Sequence, residues 1–288
     1  MTPILNHFSL RDHPFALTPN PHLFFPSEHP QAMLAGLEFA LMRGDGLLKI
    51  TGAIGSGKTL LCRLLLDRLE ALAVNTAYLN APVTDPKYLP LIVAREFGVE
   101  PSDHCEPYRD LREFLLREFA HGRRNVLVID EAQALGAQGL ELVRLLSNLE
   151  TETHKLLQIV LFGQKELDGL LARHDMRQVA QRITFSFSTR PLPRDQVAAY
   201  VRYRLQRCAE GYHGPDLFSP AAVKLLTAAS RGWPRPINIL ADKALIAAYG
   251  AGGKRVERAH IRAAIGDTRH LPLPVPFLDR LIWRRNSA

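Results

Sequence analysis

Five short apolar runs punctuate the first two thirds of the chain: Leu47 to Thr51, Val74 to Asn80, Val126 to Ile129, Leu156 to Phe162 and Ile183 to Phe187. At four to seven residues each they have the length of strands, and the stretches between them read as helical, as in the stripe Leu60, Leu61, Leu64, Leu65 and Leu69. Strands that alternate with helices predict a parallel sheet covered by helices on both faces. From Pro193 to Ile265 no such run recurs. The pattern there is helical over Asp195 to Cys208, Pro220 to Ser230, Ile237 to Tyr249 and Glu257 to Ile265. Ser219-Pro220 is a helix start, because serine caps the first turn and proline fits inside it. The expected fold class is α/β, a five-stranded parallel sheet with helices on both faces, joined to a small all-helical domain.

Composition shifts after Phe187 and again at Gly266, before Pro272, Pro274 and Pro276. These shifts predict an α/β domain over 1–190 with an N-terminal segment 1–45, a helical domain over 191–268 and a Pro-rich basic tail over 269–288. The 288 residues are about two domains' worth, and a hydrophobic content of 47% is ample for their cores. No apolar run approaches the roughly 18 residues of a membrane span. Met1 to Ser9 lacks the basic start and apolar stretch of a secretory signal, so the expected location is cytoplasmic. Cys62, Cys105 and Cys208 have no pairing or metal-ligand spacing, which argues against a disulfide or a zinc site. The net charge of +7 suits an acidic partner, nucleic acid or an anionic membrane surface. Its arginines are spread along helices, however, where ordinary solvated faces are the favoured account of them over a dedicated nucleic-acid patch. In the tail, the apolar cluster with arginines from Phe277 to Arg285 reads either as a segment that folds back or as a contact with a partner or the inner-membrane surface.

The first apolar run leads into Gly52-Ala53-Ile54-Gly55-Ser56-Gly57-Lys58-Thr59, with Leu60 opening the helix behind it. The spacing G-x-x-x-x-G-K-T is that of a phosphate-binding loop. Its glycines let successive backbone N–H groups curl around a phosphate chain while the helix turns its positive end to the same charge. Lys58 would reach the outer phosphates and Thr59 would ligate Mg²⁺. The third run ends in Asp130-Glu131. Asp130 suits the Mg²⁺ hydration shell opposite Thr59, and Glu131 suits orienting a water for in-line attack on a γ-phosphorus. A bare helix cap is the alternative reading of the two carboxylates.

The phosphate loop, the Asp-Glu strand and the helical domain together resemble an AAA+ ATPase of the P-loop NTPase class. Closer still, the chain resembles the secretion-ATPase group typified by ExeA (general secretion pathway protein A) and by the MSHA pilus biogenesis protein MshM. The residues that carry this are Phe8 with His13 to Pro19, Leu37 to Leu41, Asp130-Glu131-Ala132-Gln133, Leu161 to Leu167, Gln178 to Ile183 and Gly232 to Asn238. The resemblance implies that the helical domain is a lid and that ATP and Mg²⁺ are the cofactors. It implies a first sensor at Gln164, a second sensor at Arg235 and an arginine finger at Arg182, with Arg173 and Arg177 as competitors for the last. Phe8, Pro14 and Phe15 are candidates for an adenine pocket or for ordinary core packing.

These readings lead to an ATPase that hydrolyses ATP in a homo-oligomeric ring and drives assembly of a type II secretion or MSHA-type pilus machine. The catalytic set is Lys58, Glu131, Gln164, Arg182 and Arg235, and the metal ligands are Thr59 and Asp130. The peptidoglycan-binding region of ExeA-like members is not carried over. The rival readings are a DNA-associated regulator of transposition resembling TniB, which the positive charge favours slightly, and a nucleotide-gated scaffold with little turnover.

Overall fold

The computed structural model describes residues 2–80, 85–100, 106–210 and 216–268. Helices α1 (Pro3–His7) and α2 (Glu28–Arg43) precede strand β1 (Leu47–Thr51), and α3 (Lys58–Ala71), β2 (Asn75–Leu79), α4 (Leu89–Glu96), α5 (Pro107–Ala120) and β3 (Asn125–Ile129) follow. Next come α6 (Gly136–Leu146), β4 (Gln158–Gly163), α7 (Lys165–Leu171), α8 (Arg177–Arg182) and β5 (Ile183–Ser188). After β5 the described residues form α9 (Gln196–Cys208), α10 (Pro220–Ser230), α11 (Pro234–Gly250) and α12 (Arg258–Asp267). Contacts divide the chain into an α/β unit, Pro26–Ile54 with Lys58–Thr189, and a helical unit made from the described residues of 1–25, 55–57 and 190–288.

In the α/β unit the strand order is β2-β3-β4-β1-β5, and every neighbouring pair is parallel. Strands β3 and β4 are buried along their whole length because helices cover both faces, which is why they read as unbroken apolar runs. Edge strand β5 instead alternates half-buried Ile183, Phe185 and Phe187 with exposed Thr184, Ser186 and Ser188. Helix α2 packs close enough to this strand that a Cβ at Gly36 would stand 3.0 Å from the Phe187 ring. The buried Gln158 amide holds the start of β4 by donating to the carbonyls of Leu41, at 2.8 Å, and Asp45, at 3.0 Å. The parallel order puts the ends of β1, β3 and β4 at one carboxyl edge, where open α/β sheets bind their ligands.

The helical unit has a core of its own, built from α9 to α12 and from residues read in the sequence as part of the α/β domain. This corrects the expected assignment of 1–190 to one domain: residues 1–25 pack with the helices. Phe8 and Phe15 are 2% and 1% exposed in that core, and the Phe15 ring meets Phe218 edge-on at 5.8 Å. Both rings pack in this core, the second of the two readings given for them. Arg204, itself buried, ties the segment down by donating to the Pro14 carbonyl and to the Tyr200 hydroxyl, which in turn donates to Asn238 at 2.9 Å. The Ser219 side chain accepts from the Ala222 N–H at 3.3 Å and so caps α10. Helix α11 starts at Pro234, three residues before the periodicity shows it, because a proline costs nothing in a first turn whose N–H groups lack partners. Cys62 and Cys208 are free, buried thiols, whereas Cys105 and the tail 269–288 lie outside the described residues. No helix among the described residues is long and apolar enough to cross a membrane.

Candidate nucleotide site

Strand β1 is parallel to β4 up to the pair Thr51 and Gly163, and the chain then leaves the sheet as the phosphate loop. Gly55 and Gly57 take φ of +73° and +93°, left-handed values that a side chain disfavours and that turn the backbone back on itself before α3. Lys58 opens that helix almost fully buried. Its ammonium donates to the carbonyls of Gly52 and Ala53, each at 3.0 Å, and has no carboxylate within ion-pair distance among the described residues. Burial therefore pulls its pKa below the usual lysine value, against the opposing charges of Glu131, Asp130 and Glu166. The Ser56 hydroxyl is buried without a hydrogen-bond partner among the described residues. A buried cation and an orphaned hydroxyl in a glycine-turned loop are the donor set that an oligophosphate would satisfy, so the loop fits the group that its sequence implies.

Asp130 follows β3, 6% exposed, and one of its carboxylate oxygens accepts from the Glu131 N–H at 2.9 Å. Thr59 is half-buried in the first turn of α3. These two oxygen donors are the ones suited to a Mg²⁺ ion that keeps several waters and takes the rest of its ligands from phosphates. Burial and then the Asp130 charge push the Cys62 thiol up, which leaves it protonated and inert.

Glu131 adopts φ +50° and ψ +39°, a left-handed conformation uncommon for a residue with a side chain. Its carboxylate oxygen Oε2 accepts from the Gln164 side-chain amide at 2.8 Å and from the Gln133 side-chain amide. Burial alone would raise the Glu131 pKa, but the amides of Gln164 and Gln133 and the charge of Lys58 outweigh it and hold the carboxyl below its ordinary value. Glu131 is thus a carboxylate held towards its ionised form at the carboxyl edge of the sheet.

The structure brings Lys58, Asp130, Glu131 and Gln164 to that one edge, at the ends of β1, β3 and β4. It does not bring Arg182 there. Arg182 ends α8 immediately before β5, whose first residue pairs with Leu47 at the start of β1, so it lies at the opposite edge of the sheet. Of its competitors, Arg173 is held by both oxygens of Asp175 at 3.1 and 2.7 Å, and Arg177 is exposed. Arg235 lies in the first turn of α11, in the helical unit. Gln133 carries no role in the sequence reading beyond its place in the Asp-Glu-Ala-Gln motif. Its signal is chemical: an amide two residues past the Glu131 carboxylate can donate and accept at once.

Comparison with known proteins agrees with this geometry. Residues 41–171 match the AAA_22 family, described as an AAA domain. The chain is 40% identical over 261 residues to general secretion pathway protein A of Aeromonas hydrophila, a match that covers 89% of this chain and 47% of that protein. It thus spans about half the length of the curated relative it matches. Among solved structures it resembles the Aeropyrum pernix ORC1 protein in complex with DNA, with a TM-score of 0.66 at 24% identity over 88% of this chain and 69% of that one. It also resembles the Thermotoga maritima RuvB Holliday junction branch migration motor, with a TM-score of 0.52 at 18% identity over 84% and 70% of the two chains. At such identities these two likenesses concern the fold alone. With a glycine-rich G-x-x-x-x-G-K-T loop after β1 and an Asp-Glu pair after β3, the chain carries an AAA domain over residues 41–171 and is similar to general secretion pathway protein A.

Proposed function

We propose that the protein binds ATP with Mg²⁺ and hydrolyses it in a ring of like subunits, working at the cytoplasmic side of a type II secretion or MSHA-type pilus machine whose assembly it drives. The observation that carries hydrolysis is the ionised Glu131 beside Lys58, held by two amide donors at the edge where the phosphate loop begins. A protein that only bound nucleotide would need the loop and a metal ligand but not this second carboxylate.

In this reading the backbone from Gly52 to Leu60 cradles the phosphates and the buried Lys58 ammonium turns from the Gly52 and Ala53 carbonyls to the γ-phosphoryl oxygens. Thr59 and Asp130 would hold Mg²⁺, which when bound neutralises charge on the β- and γ-phosphoryl oxygens. Glu131 accepts a proton from the attacking water, and Gln164 reports the γ-phosphate from the tip of β4. Arg182 serves a neighbouring subunit's site, and Arg235 couples the cycle to the helical unit. The machine itself is inferred from the similarity to general secretion pathway protein A.

Lys58→Ala and Glu131→Gln test the core of this reading. The first is expected to lose nucleotide binding. The second is expected to bind a fluorescent ATP analogue normally and to release phosphate about 10²–10⁴-fold more slowly, the usual contribution of a general base. Full turnover by the Glu131→Gln protein would remove the hydrolytic assignment.

A further inference from the structure

Gln133 joins two strand tips through a closed ring of hydrogen bonds. Its side-chain oxygen accepts from the backbone N–H of Gln164 at 2.9 Å, its side-chain nitrogen donates to Glu131 Oε2, and the Gln164 amide donates to the same oxygen at 2.8 Å. The amide can sit only one way round. A flipped amide would set its NH₂ against the Gln164 N–H and its oxygen against the carboxylate. Its seat is confined as well: a Cβ at Gly163 would stand 3.3 Å from the Gln133 oxygen and 2.6 Å from Leu167 Cδ2. Glu131 Oε2 thus has two donors, while Oε1 has no hydrogen-bond partner among the described residues.

We propose that Gln133 is a positioning residue: it clamps Oε2 of Glu131, so that Oε1 is the oxygen presented to the attacking water, and it locks that carboxylate to Gln164 at the tip of β4. The inference rests on Glu131 being the base of ATP hydrolysis. The clamp also accounts for a glutamate that tolerates a left-handed backbone, since the ring fixes the side chain of a residue whose main chain has turned out of the strand. In this role Gln133 is bonded to Glu131 and to the Gln164 N–H, and its effect on turnover passes entirely through Glu131.

The test is a double-mutant cycle on phosphate release from ATP by the 288-residue chain. Gln133→Met keeps the length of the side chain and removes its polar contacts. It is expected to lower kcat about 10–100-fold, the loss of one charge-assisted hydrogen bond at a reacting group, with KM for ATP within about threefold of the parent. In a Glu131→Gln background the same substitution should change the residual rate by less than about twofold, because the group it acts through is already gone. Gln133→Glu serves as the second variant should the methionine protein fold poorly. It keeps the acceptor for the Gln164 N–H but faces Glu131 with a second carboxylate, and should lose at least as much. Parental kcat in both Gln133 variants, or an undiminished loss on top of Glu131→Gln, overturns the proposal. A Glu131→Gln protein that turns over fully overturns the reading beneath it instead, so the two failures are distinct.

Discussion

Replacing Gly232 by alanine should unfold the helical unit at markedly lower denaturant. Gly232 follows Arg231, and the two residues take φ of +79° and +51° between α10 and α11. A Cβ at 232 would stand 2.2 Å from the Leu192 carbonyl oxygen, a backbone atom that cannot swing aside as a side chain can. The same residue accepts the Leu192 N–H at 2.9 Å, so any shift that makes room also loosens this bond. Left-handed backbone with a side chain costs about 1–2 kcal/mol, and forcing a methyl into filled space typically costs about 1–3 kcal/mol more. A loss of roughly 3 kcal/mol is therefore expected. Gly252 is the control, because its φ of +68° is similar and a Cβ there meets nothing within 4 Å. Gly252→Ala should carry the backbone cost alone, about 1 kcal/mol. Urea unfolding followed by circular dichroism and by the fluorescence of neighbouring Trp233 gives both values. If the two variants fall within about 0.5 kcal/mol of one another, the clash with Leu192 is not what requires glycine at 232.

Two further tests address the site and the core. Arg182→Ala should bind nucleotide like the parent yet lose about 10³-fold or more in turnover, the scale of an arginine finger; mixing it with the Glu131→Gln protein should restore part of the activity, because a mixed ring forms some interfaces with both residues intact, and the absence of any recovery refutes action between subunits. Asp242 sits in α11 with its pKa raised by burial and only partly lowered by the charge of His13. Its ionised form is disfavoured in the folded state, so the cost is present at neutral pH and disappears as pH falls below the unfolded value near 4. Asp242→Asn should accordingly stabilise the protein by about 0.5–1 kcal/mol at pH 7, with the gain fading towards pH 4; a gain that grows on acidification would contradict the burial.

What the sequence made legible was local. The first run matches β1 residue for residue, and Pro220 to Ser230 is α10 as bounded, because both carry their own start and stop signals. The runs at Val74 and Leu156 overshoot. Val74 follows Ala73, at φ +54°, and donates its N–H back to Leu69, so it belongs to the turn out of α3. Leu156 and Leu157 are buried before β4 begins, and Leu156 donates to Leu149 rather than to a strand. Apolarity reported burial in both places, while strand pairing depends on partners far along the chain. The same limit hid the allegiance of residues 1–25, whose aromatics pack with residues about 200 positions away. Gln133 was legible as part of a motif, but its task is set by the Gln164 N–H, which only the adjacency of β3 and β4 brings within reach.

That adjacency also separates the candidate catalytic groups into two kinds. A parallel sheet has one carboxyl edge and one amino edge, and a strand of five or six residues holds them roughly 15–20 Å apart. Lys58, Asp130, Glu131 and Gln164 follow the ends of β1, β3 and β4, whereas Arg182 precedes the start of β5. An arginine side chain spans far less than a strand, so Arg182 cannot reach the γ-phosphate bound by its own loop without dismantling β5. Either it serves the site of another subunit or it has no part in catalysis, and the mixed-ring experiment decides between the two. A ring is therefore what the role proposed for Arg182 requires: only an interface between subunits would bring this cation at the amino edge to a phosphate bound at a carboxyl edge.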